Sequence, residues 1–378
     1  MHRQGHWNRR AMLGAASALG GAVLAGFPGC VTAQGKDDTP DSGLSGYKMP
    51  PEEAPHTRTF MQWPVSLDIY DRKSLRAVQA TIALIANNIS VFEPVIMLVS
   101  GTAAKTARAQ LGRGVEIWDI PTDDLWCRDS GPTFVKNTKG QLAVSHIAFN
   151  GWGNKQPHSN DARIATAIAK RLGLPLFVTG LQGEQGGIEQ DGAGTLLAHA
   201  SSWVNPNRNT GDEDEVGKRL VRALGAQKII WAPGLRGRDI TDYHIDALVR
   251  FVAPGHLLIQ LPKGIDPEDP YSVAAFKTYE ILKTATDAQG RKFDITVIPE
   301  PISIRSRNPD FVASYVNYYI CNDAVICAEF GGKAADAKAQ AILRAFYPGR
   351  RIVALNIDAL GEAGGGIHCA TQQQPKAG

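Results

Sequence analysis

Cysteine is scarce in this sequence, which has five cysteines among 378 residues. Disulfide-rich domains and structural zinc modules need several cysteines, or cysteines with histidines, at short regular spacings. A two-residue hairpin turn at 322–323 would place Cys321 opposite Ala324 rather than opposite Cys327. These features predict neither a disulfide framework nor a structural zinc site.

An excess of one charge is also lacking. The sequence has 40 lysines and arginines against 37 aspartates and glutamates, a net charge of +3. That balance is too close to neutral to indicate a nucleic-acid-binding protein. With 43% hydrophobic and 20% charged residues, the composition is typical of a globular protein.

The N-terminal residues 1–33 have the features of an export signal. The order Asn8–Leu13 (NRRAML) is similar to a twin-arginine motif. The apolar run over residues 11–26 is glycine-rich and short for a membrane span, and residues 31–33 (VTA) suit cleavage. We expect export to the periplasm or the extracellular space, and lipid attachment at Cys30 is the less favoured alternative.

Residues 34–48 are rich in Gly, Ser, Asp and Pro, so we expect a flexible linker there. From residue 49 onward, helical and strand-like patterns alternate. Five stretches have helical spacing of apolar residues, namely 74–90, 161–172, 213–224, 271–287 and 335–346. The alternation predicts an α/β protein of repeated units, and these patterns alone favour a doubly wound sheet.

The most informative stretch lies near the C-terminus, at residues 364–375 (GGGIHCATQQQP). Three glycines allow the backbone to approach a ligand closely, and they lead directly to Cys369. A cysteine presented by such a turn beside polar residues suits nucleophilic chemistry. The simpler interpretation is a turn before an edge strand, with Cys369 as a small core residue.

Two earlier stretches carry carboxylates beside turns. In residues 126–132 (WCRDSGP), Asp129 could form no more than a surface ion pair with Arg128. Residues 184–197 (EQGGIEQDGAGTLL) could form tight turns or a calcium-binding loop, although their spacing departs from that of an EF-hand.

Residues 239–246 (DITDYHID) add a histidine between two acids. Strand alternation would place Asp242, His244 and Asp246 on one face, where they could bind a metal. A metal-dependent hydrolase is therefore an alternative on this segment alone, and a buried, hydrogen-bonded histidine is the structural interpretation. No other histidine-rich segment supplies further ligands.

Together these stretches resemble the agmatine deiminase and bacterial peptidyl-arginine deiminase family. The resemblance extends from about Met61 to Pro375 and includes residues 149–155 (FNGWGNK), 202–209 (SWVNPNRN) and 314–320 (SYVNYYI). It departs from the family pattern at Gln185, where a glycine is usual. The motif GGGIHC with its glutamine run is highly specific.

The resemblance implies a role for each site residue. Cys369 would attack a guanidinium carbon, and His244 would act as acid and base. Asp242 would support the site from outside, and His368 would be structural. The substrate-binding residues that the resemblance implies are Asp129, Glu184, Asp246, Trp126 and Asn317.

The resemblance also implies the fold and the reaction. The fold would be a five-bladed α/β propeller (pentein) of ββαβ-type units with pseudo-fivefold symmetry, forming one catalytic domain over residues 49–378. The reaction would hydrolyse agmatine to N-carbamoylputrescine and ammonia, as in putrescine synthesis, with no metal or organic cofactor. The implied partners are a small guanidinium substrate and a second copy in a homodimer, but no nucleic acid and no membrane span after export.

Two other functions fit parts of the same pattern. A secreted peptidyl-arginine or arginine deiminase would form citrulline, but it would need cations for a substrate carboxylate, and the loop 149–155 offers only Lys155. An exported amine-binding protein could use the same carboxylates without catalysis. Such a protein would not require Cys369.

Overall fold

The computed structural model describes residues 30–32 and 43–378. The twin-arginine motif and the apolar run of the predicted export signal lie outside these residues, as do residues 34–42 of the predicted linker. No helix within the described ranges is both long and apolar enough to cross a membrane.

Helices form at all five stretches with helical apolar spacing. The helices of the described residues are α1 (Arg72–Ile89), α2 (Ala103–Gln110), α3 (Cys127–Ser130), α4 (Gly151–Asn154), α5 (Ile164–Leu172), α6 (Ala200–Trp203), α7 (Glu213–Leu224), α8 (Pro270–Thr284), α9 (Lys333–Phe346) and α10 (Asp358–Ala363). Helix α7 shows why the prediction succeeded. Asp212 and Glu215 form a capping box at its start, and Gly225 ends it with a φ of 63°.

The strands are short and follow one another closely along the chain. They are β1 (Cys30–Thr32), β2 (Tyr47–Lys48), β3 (His56–Gln62), β4 (Val95–Leu98), β5 (Val115–Trp118), β6 (Thr133–Asn137), β7 (Leu142–Ala148), β8 (Leu176–Gln182), β9 (Ile188–Gln190), β10 (Thr195–His199), β11 (Lys228–Ala232), β12 (Val249–Ala253), β13 (His256–Leu261), β14 (Asp294–Pro299), β15 (Tyr319–Cys321), β16 (Ala324–Glu329), β17 (Arg351–Asn356) and β18 (Gln372–Pro375).

Within residues 30–32 and 43–378, the strands form five separate sheets of three or four strands. Each sheet contains an antiparallel pair whose second strand is joined through a helix to a parallel third strand. The five ββαβ units are β6-β7-α5-β8, β9-β10-α7-β11, β12-β13-α8-β14, β15-β16-α9-β17 and β18-β3-α1-β4. This architecture confirms the predicted α/β fold of five units and excludes the doubly wound sheet.

The unit that contains β18 joins the two ends of the described chain. Strand β18 pairs antiparallel with β3, so that Gln372 lies opposite Phe60 and Gln374 opposite Arg58. Because Cys369 lies three residues before Gln372, this pairing fixes the position of the predicted nucleophile. The glutamine run therefore forms a buried strand.

The hairpin β15–β16 has the predicted register. Cys321 pairs with Ala324 across the turn, and Cys127, Cys321, Cys327 and Cys369 are all free thiols. The sheet alternation that separates Cys321 from Cys327 thus excludes a bridge between them.

The predicted linker is wrong for residues 43–48. Leu44 is buried against Val135 and Ala143, and β2 pairs antiparallel with β6. These residues remain ordered because β2 supplies hydrogen bonds to the free edge of its sheet. Strand β1, within the predicted signal, pairs with β11 in the same way.

Candidate active site

Each of the five units contributes a segment to the site from the same structural position, immediately before its first strand. The segments precede β6, β9, β12, β15 and β18, and the predicted residues they carry are Asp129, Glu184, His244, Asp246, Asn317 and Cys369. Repetition of the unit therefore brings together residues that are far apart in sequence.

Close packing around Cys369 requires two of the three glycines, Gly365 and Gly366, whereas Gly364 ends helix α10 with a φ of 96°. A Cβ on Gly365 would lie 2.5 Å from the Trp126 ring and 3.4 Å from Cys369 Sγ, and one on Gly366 would overlap Asn317 Oδ1. Only glycine allows the turn to pass both side chains. The turn places Cys369 between Trp126 and Asn317, as the nucleophile prediction requires.

The Cys369 thiol has polar neighbours. Asn317 Nδ2 donates to Cys369 Sγ at 3.3 Å, and the sulfur lies 3.6 Å from Asp246 Oδ2. The Asn317 amide nitrogen also donates to the Asp246 backbone carbonyl at 3.3 Å. Asn317 thus holds both the nucleophile and the acid beside it.

Three charged or titratable groups converge on Gly186. A Cβ at this position would lie 2.7 Å from Asp129 Oδ1, 2.8 Å from His244 Nδ1 and 3.2 Å from Asp246 Oδ2. Asp246 Oδ2 is also the oxygen that faces Cys369. The thiol, the imidazole and two carboxylates therefore surround one small volume.

Three carboxylates, those of Glu184, Asp129 and Asp246, lie near His244. Its Nε2 lies 3.1 Å from Glu184 Oε2, and its Nδ1 lies 3.7 Å from Asp129 Oδ1. Burial by itself would lower the pKa of His244, but these carboxylates and Asp246 outweigh burial and raise the pKa above its ordinary value. The imidazole is thereby kept protonated to higher pH, as a general acid requires.

Glu184 interacts with protein groups rather than facing an open space. Both of its oxygens lie 2.9 Å from Arg208 Nε, and one also contacts His244. Burial would raise the pKa of Glu184, but Arg208 and His244 lower it. These contacts suit the orientation of His244 better than the predicted clamp on a substrate guanidinium.

Asp129 is fixed by an aromatic side chain. Trp152 Nε1 donates to Asp129 Oδ2 at 2.9 Å, which gives Trp152 a role that sequence analysis did not assign. Trp152 has a φ of 56°, a conformation that is rare outside glycine. The local strain is therefore associated with holding an acid of the site.

The predicted strand at Asp242, His244 and Asp246 is wrong. Asp242 and Tyr243 have φ values of 58° and 71°, which an extended strand cannot contain, and Ile245–Ala247 forms a 3-10 turn. Asp242 turns away to accept hydrogen bonds from Lys155 Nζ at 2.6 Å and Arg208 Nη1 at 2.8 Å. The three side chains thus do not share one metal-binding face, and no metal-binding group of acids, histidines and cysteines occurs among the described residues.

The predicted residues Trp126, Asp129, His244, Asp246, Asn317 and Cys369 meet at this site. The supporting role of Arg208 was not predicted, although this residue lies in the stretch 202–209 that resembles the family. Glu52 was not predicted either. His368 was predicted to be structural, whereas it contacts both Glu52 and Asp246. A proline-flanked acid pair at 52–53 gave no signal of such a contact.

Comparisons with known proteins agree with this architecture. Residues 48–375 match the model of the Porphyromonas-type peptidyl-arginine deiminase family. The agmatine deiminase of Pseudomonas fluorescens is 34% identical over 356 residues, covering 87% of this chain and 96% of that protein. The agmatine deiminase structure from Enterococcus faecalis superimposes with a TM-score of 0.83 at 26% identity, covering 90% of this chain and 99% of that one.

A buried thiol, an imidazole and carboxylates delivered by five ββαβ units define a cysteine-dependent enzyme of the α/β propeller class. The family match covers nearly all of the described chain. This chain belongs to the Porphyromonas-type peptidyl-arginine deiminase family.

Proposed function

We propose that this protein hydrolyses agmatine to N-carbamoylputrescine and ammonia through a covalent amidino-cysteine. The observation that carries the proposal is the convergence of Cys369 Sγ, His244 and the carboxylates of Asp129 and Asp246 on one point. The agmatine deiminases similar to this chain support the choice of substrate.

The first half of the reaction forms a carbon–sulfur bond. A guanidinium is planar and always protonated, so its carbon reacts only with a strong nucleophile while the cation is held in place. The Cys369 thiolate attacks that carbon, and His244 gives its proton to one nitrogen, which leaves as ammonia. The covalent amidino-thioester and a neutral imidazole remain.

The second half of the reaction restores the enzyme. Neutral His244 takes a proton from a water molecule, which attacks the amidino carbon. The carbon–sulfur bond then breaks, the thiolate of Cys369 returns, and the new hydroxyl group loses its proton as the neutral ureido product is released. Each turnover consumes one water and forms one ammonia and one proton, which together make ammonium.

The carboxylates provide the site for the cation. Asp246 Oδ1 is buried and has no hydrogen-bond partner among the described residues, so it is available to accept a guanidinium N–H. Asp129 is close to Asp246, since a Cβ placed at Gly186 would lie 2.7 Å from Asp129 Oδ1 and 3.2 Å from Asp246 Oδ2. Hydrogen bonds between a carboxylate and a guanidinium are strong because both groups are charged.

Two of the cations near the site, Lys155 and Arg208, are already bound by protein groups. Lys155 Nζ binds the Ile240 carbonyl at 3.1 Å and Asp242 Oδ2 at 2.6 Å. Arg208 is held by Glu184 and Asp242. Neither cation is left to bind the terminal carboxylate of arginine or of a peptide, which supports agmatine.

The proposal is tested by incubating purified protein with agmatine, free arginine and peptides that end in arginine. We expect ammonia and N-carbamoylputrescine from agmatine, and citrulline from neither of the other substrates. Citrulline from peptides, with no turnover of agmatine, would show instead that the protein is a peptidyl-arginine deiminase. Agmatine binding without ammonia release would support the amine-binding alternative.

We further propose export by the twin-arginine-type signal, use of the product for putrescine synthesis, and assembly as a homodimer. The motif at residues 8–13 supports export. Replacing Arg9 and Arg10 by lysine should retain the protein in the cytoplasm, and unchanged export would contradict the proposal. Light scattering of the purified protein measures its assembly state.

A further inference from the structure

His368 lies next to the nucleophile and bridges two carboxylates. Its Nδ1 lies 2.8 Å from Asp246 Oδ2, and its Nε2 lies 2.8 Å from Glu52 Oε2. The side chain of His368 is only 3% exposed. Each ring nitrogen of His368 therefore has a carboxylate oxygen within hydrogen-bond distance.

At one end of this bridge, His368 binds a single oxygen of Asp246. That oxygen, Oδ2, also lies 3.6 Å from Cys369 Sγ, whereas Oδ1 has no partner among the described residues. The contact with His368 therefore decides which oxygen faces the thiol and which one remains for a cation.

At the other end, Glu52 is firmly anchored. Its Oε2 accepts a hydrogen bond from Arg250 Nη2 at 2.9 Å, and its Oε1 accepts one from the backbone N–H of Ile320 at 3.1 Å. Arg128 Nη2 lies 3.6 Å from the same carboxylate. A cavity of about 20 Å³, enough for about one water molecule, adjoins Glu52, Arg128 and His368.

We propose that His368 and Glu52 are positioning residues that hold Asp246 in one orientation, with Oδ1 presented to the substrate guanidinium. The role of Asp246 in this inference rests on the proposed function. Glu52 fixes the imidazole, the imidazole fixes Asp246, and the segment before β3 thereby becomes part of the site.

The charges around Asp246 are consistent with this arrangement. Burial by itself would raise the pKa of Asp246, whereas His368, His244 and Arg250 lower it. A buried carboxylate needs such partners to remain ionised. Cys369 is the other titratable group in contact with Asp246.

Two substitutions of His368 separate positioning from simple packing. In His368→Asn the amide nitrogen can replace Nδ1 and still donate to Asp246, whereas in His368→Gln it replaces Nε2 and serves only Glu52. We expect His368→Gln to lower kcat/KM for agmatine by about tenfold or more, mainly through KM, as for a lost hydrogen bond to a buried charge. His368→Asn should retain most of the activity.

The pH profile provides a readout that a packing defect would not move. Because His368 lowers the pKa of Asp246, its replacement by glutamine should shift the acid limb of kcat/KM to higher pH. His256→Gln is the matched control, since His256 is partly exposed, and its described side-chain contacts are with Asp294 and the Phe346 ring, outside the site. Equal activity of the Asn and Gln variants, or an unmoved acid limb, would overturn the proposal.

A measurement on the unaltered protein needs neither turnover nor a folded variant. Long-range proton–nitrogen spectra of protein labelled at its 9 histidines should show a proton on Nδ1 of His368, the nitrogen that faces Asp246. An Nδ1 without a proton would overturn the positioning role even if agmatine is hydrolysed. Failure of agmatine turnover with a protonated Nδ1 would instead overturn the proposed function.

Discussion

Cys369 and Cys327 are both buried thiols, but their surroundings differ. Cys327 lies in β16, inside an apolar sheet, where burial raises the pKa of its thiol to about 12. Cys369 lies after a glycine turn, with an amide and a carboxylate within 3.6 Å of its sulfur. Burial alone therefore does not distinguish an inert thiol from a nucleophile. The two thiols differ in the polar groups around the sulfur atom.

The largest effect on activity is expected when Cys369 and Cys327 are replaced by alanine in separate variants. Cys369→Ala should reduce ammonia release from agmatine by at least about 10⁴-fold, because no other group can form the covalent intermediate. Cys327→Ala should retain activity and lose about 1 kcal/mol of unfolding free energy. Ammonia assays and denaturant unfolding measure both quantities.

Mass spectrometry can test the same comparison directly. A haloacetamidine should form an adduct at Cys369 and leave Cys327 unmodified. Full turnover by Cys369→Ala, or loss of wild-type activity on treatment with a chelator, would favour a metal-dependent hydrolase instead.

The second effect concerns the space between the charged groups. Gly186→Ala would place a methyl group within 2.8 Å of both Asp129 Oδ1 and His244 Nδ1, and we expect activity to fall by about 100-fold. Gly349→Ala is the matched control, because a Cβ there meets no atom within 4 Å. Near-normal kinetics of Gly186→Ala would contradict the convergence of these groups.

The third effect is a pH shift. Because the pKa of His244 is raised above 6.5, its protonated form stabilises the protein fully below pH 6.5, and this contribution is lost as the pH rises through the folded value. Activity that needs the acid form should fall over the same alkaline range. Glu184→Gln removes one supporting carboxylate, so the alkaline limb of kcat should move to lower pH.

The control for this shift is Glu329→Gln, which changes a partly exposed acid with a 3.9 Å contact to Arg305. It should leave the pH profile unchanged. An alkaline limb that stays in place in Glu184→Gln would show that Glu184 does not act on His244.

The smallest effect is expected at Lys155. Lys155→Gln removes the contact with Asp242 and should cost about 1 kcal/mol of unfolding free energy, since the side chain is partly exposed. The KM for agmatine should stay the same, as it should in Lys283→Gln, a surface control. A selective loss of arginine or peptide turnover would show that Lys155 binds a substrate carboxylate.

Local patterns were sufficient to predict the five helices, but not the arrangement of the sheets, since the patterns alone favoured a doubly wound sheet. Helix α7 ends at the predicted residues because its capping box, apolar face and terminal glycine lie within the segment itself. The prediction of a flexible linker was wrong at Leu44. The burial of this side chain depends on Val135 and Ala143, which lie about ninety residues further along the chain.

The site was predictable only in part, for a similar reason. Cys369 and His244 lie in motifs that carry chemistry, but the partner that fixes Glu184 is Arg208, and nothing local pairs them. The strand predicted for Asp242–Asp246 does not form, because Asp242 and Tyr243 have the left-handed backbone conformation. Such contacts depend on how the units are arranged around the site.

The pairing of β18 with β3 has a consequence for biosynthesis. Strand β3 is made before the four other units and β18 after them, so their shared sheet stays incomplete while those units are synthesised. Cys369 is also made after the other four units. Until then the growing polypeptide has no nucleophile, and catalytic competence begins only when the last strand joins the first unit.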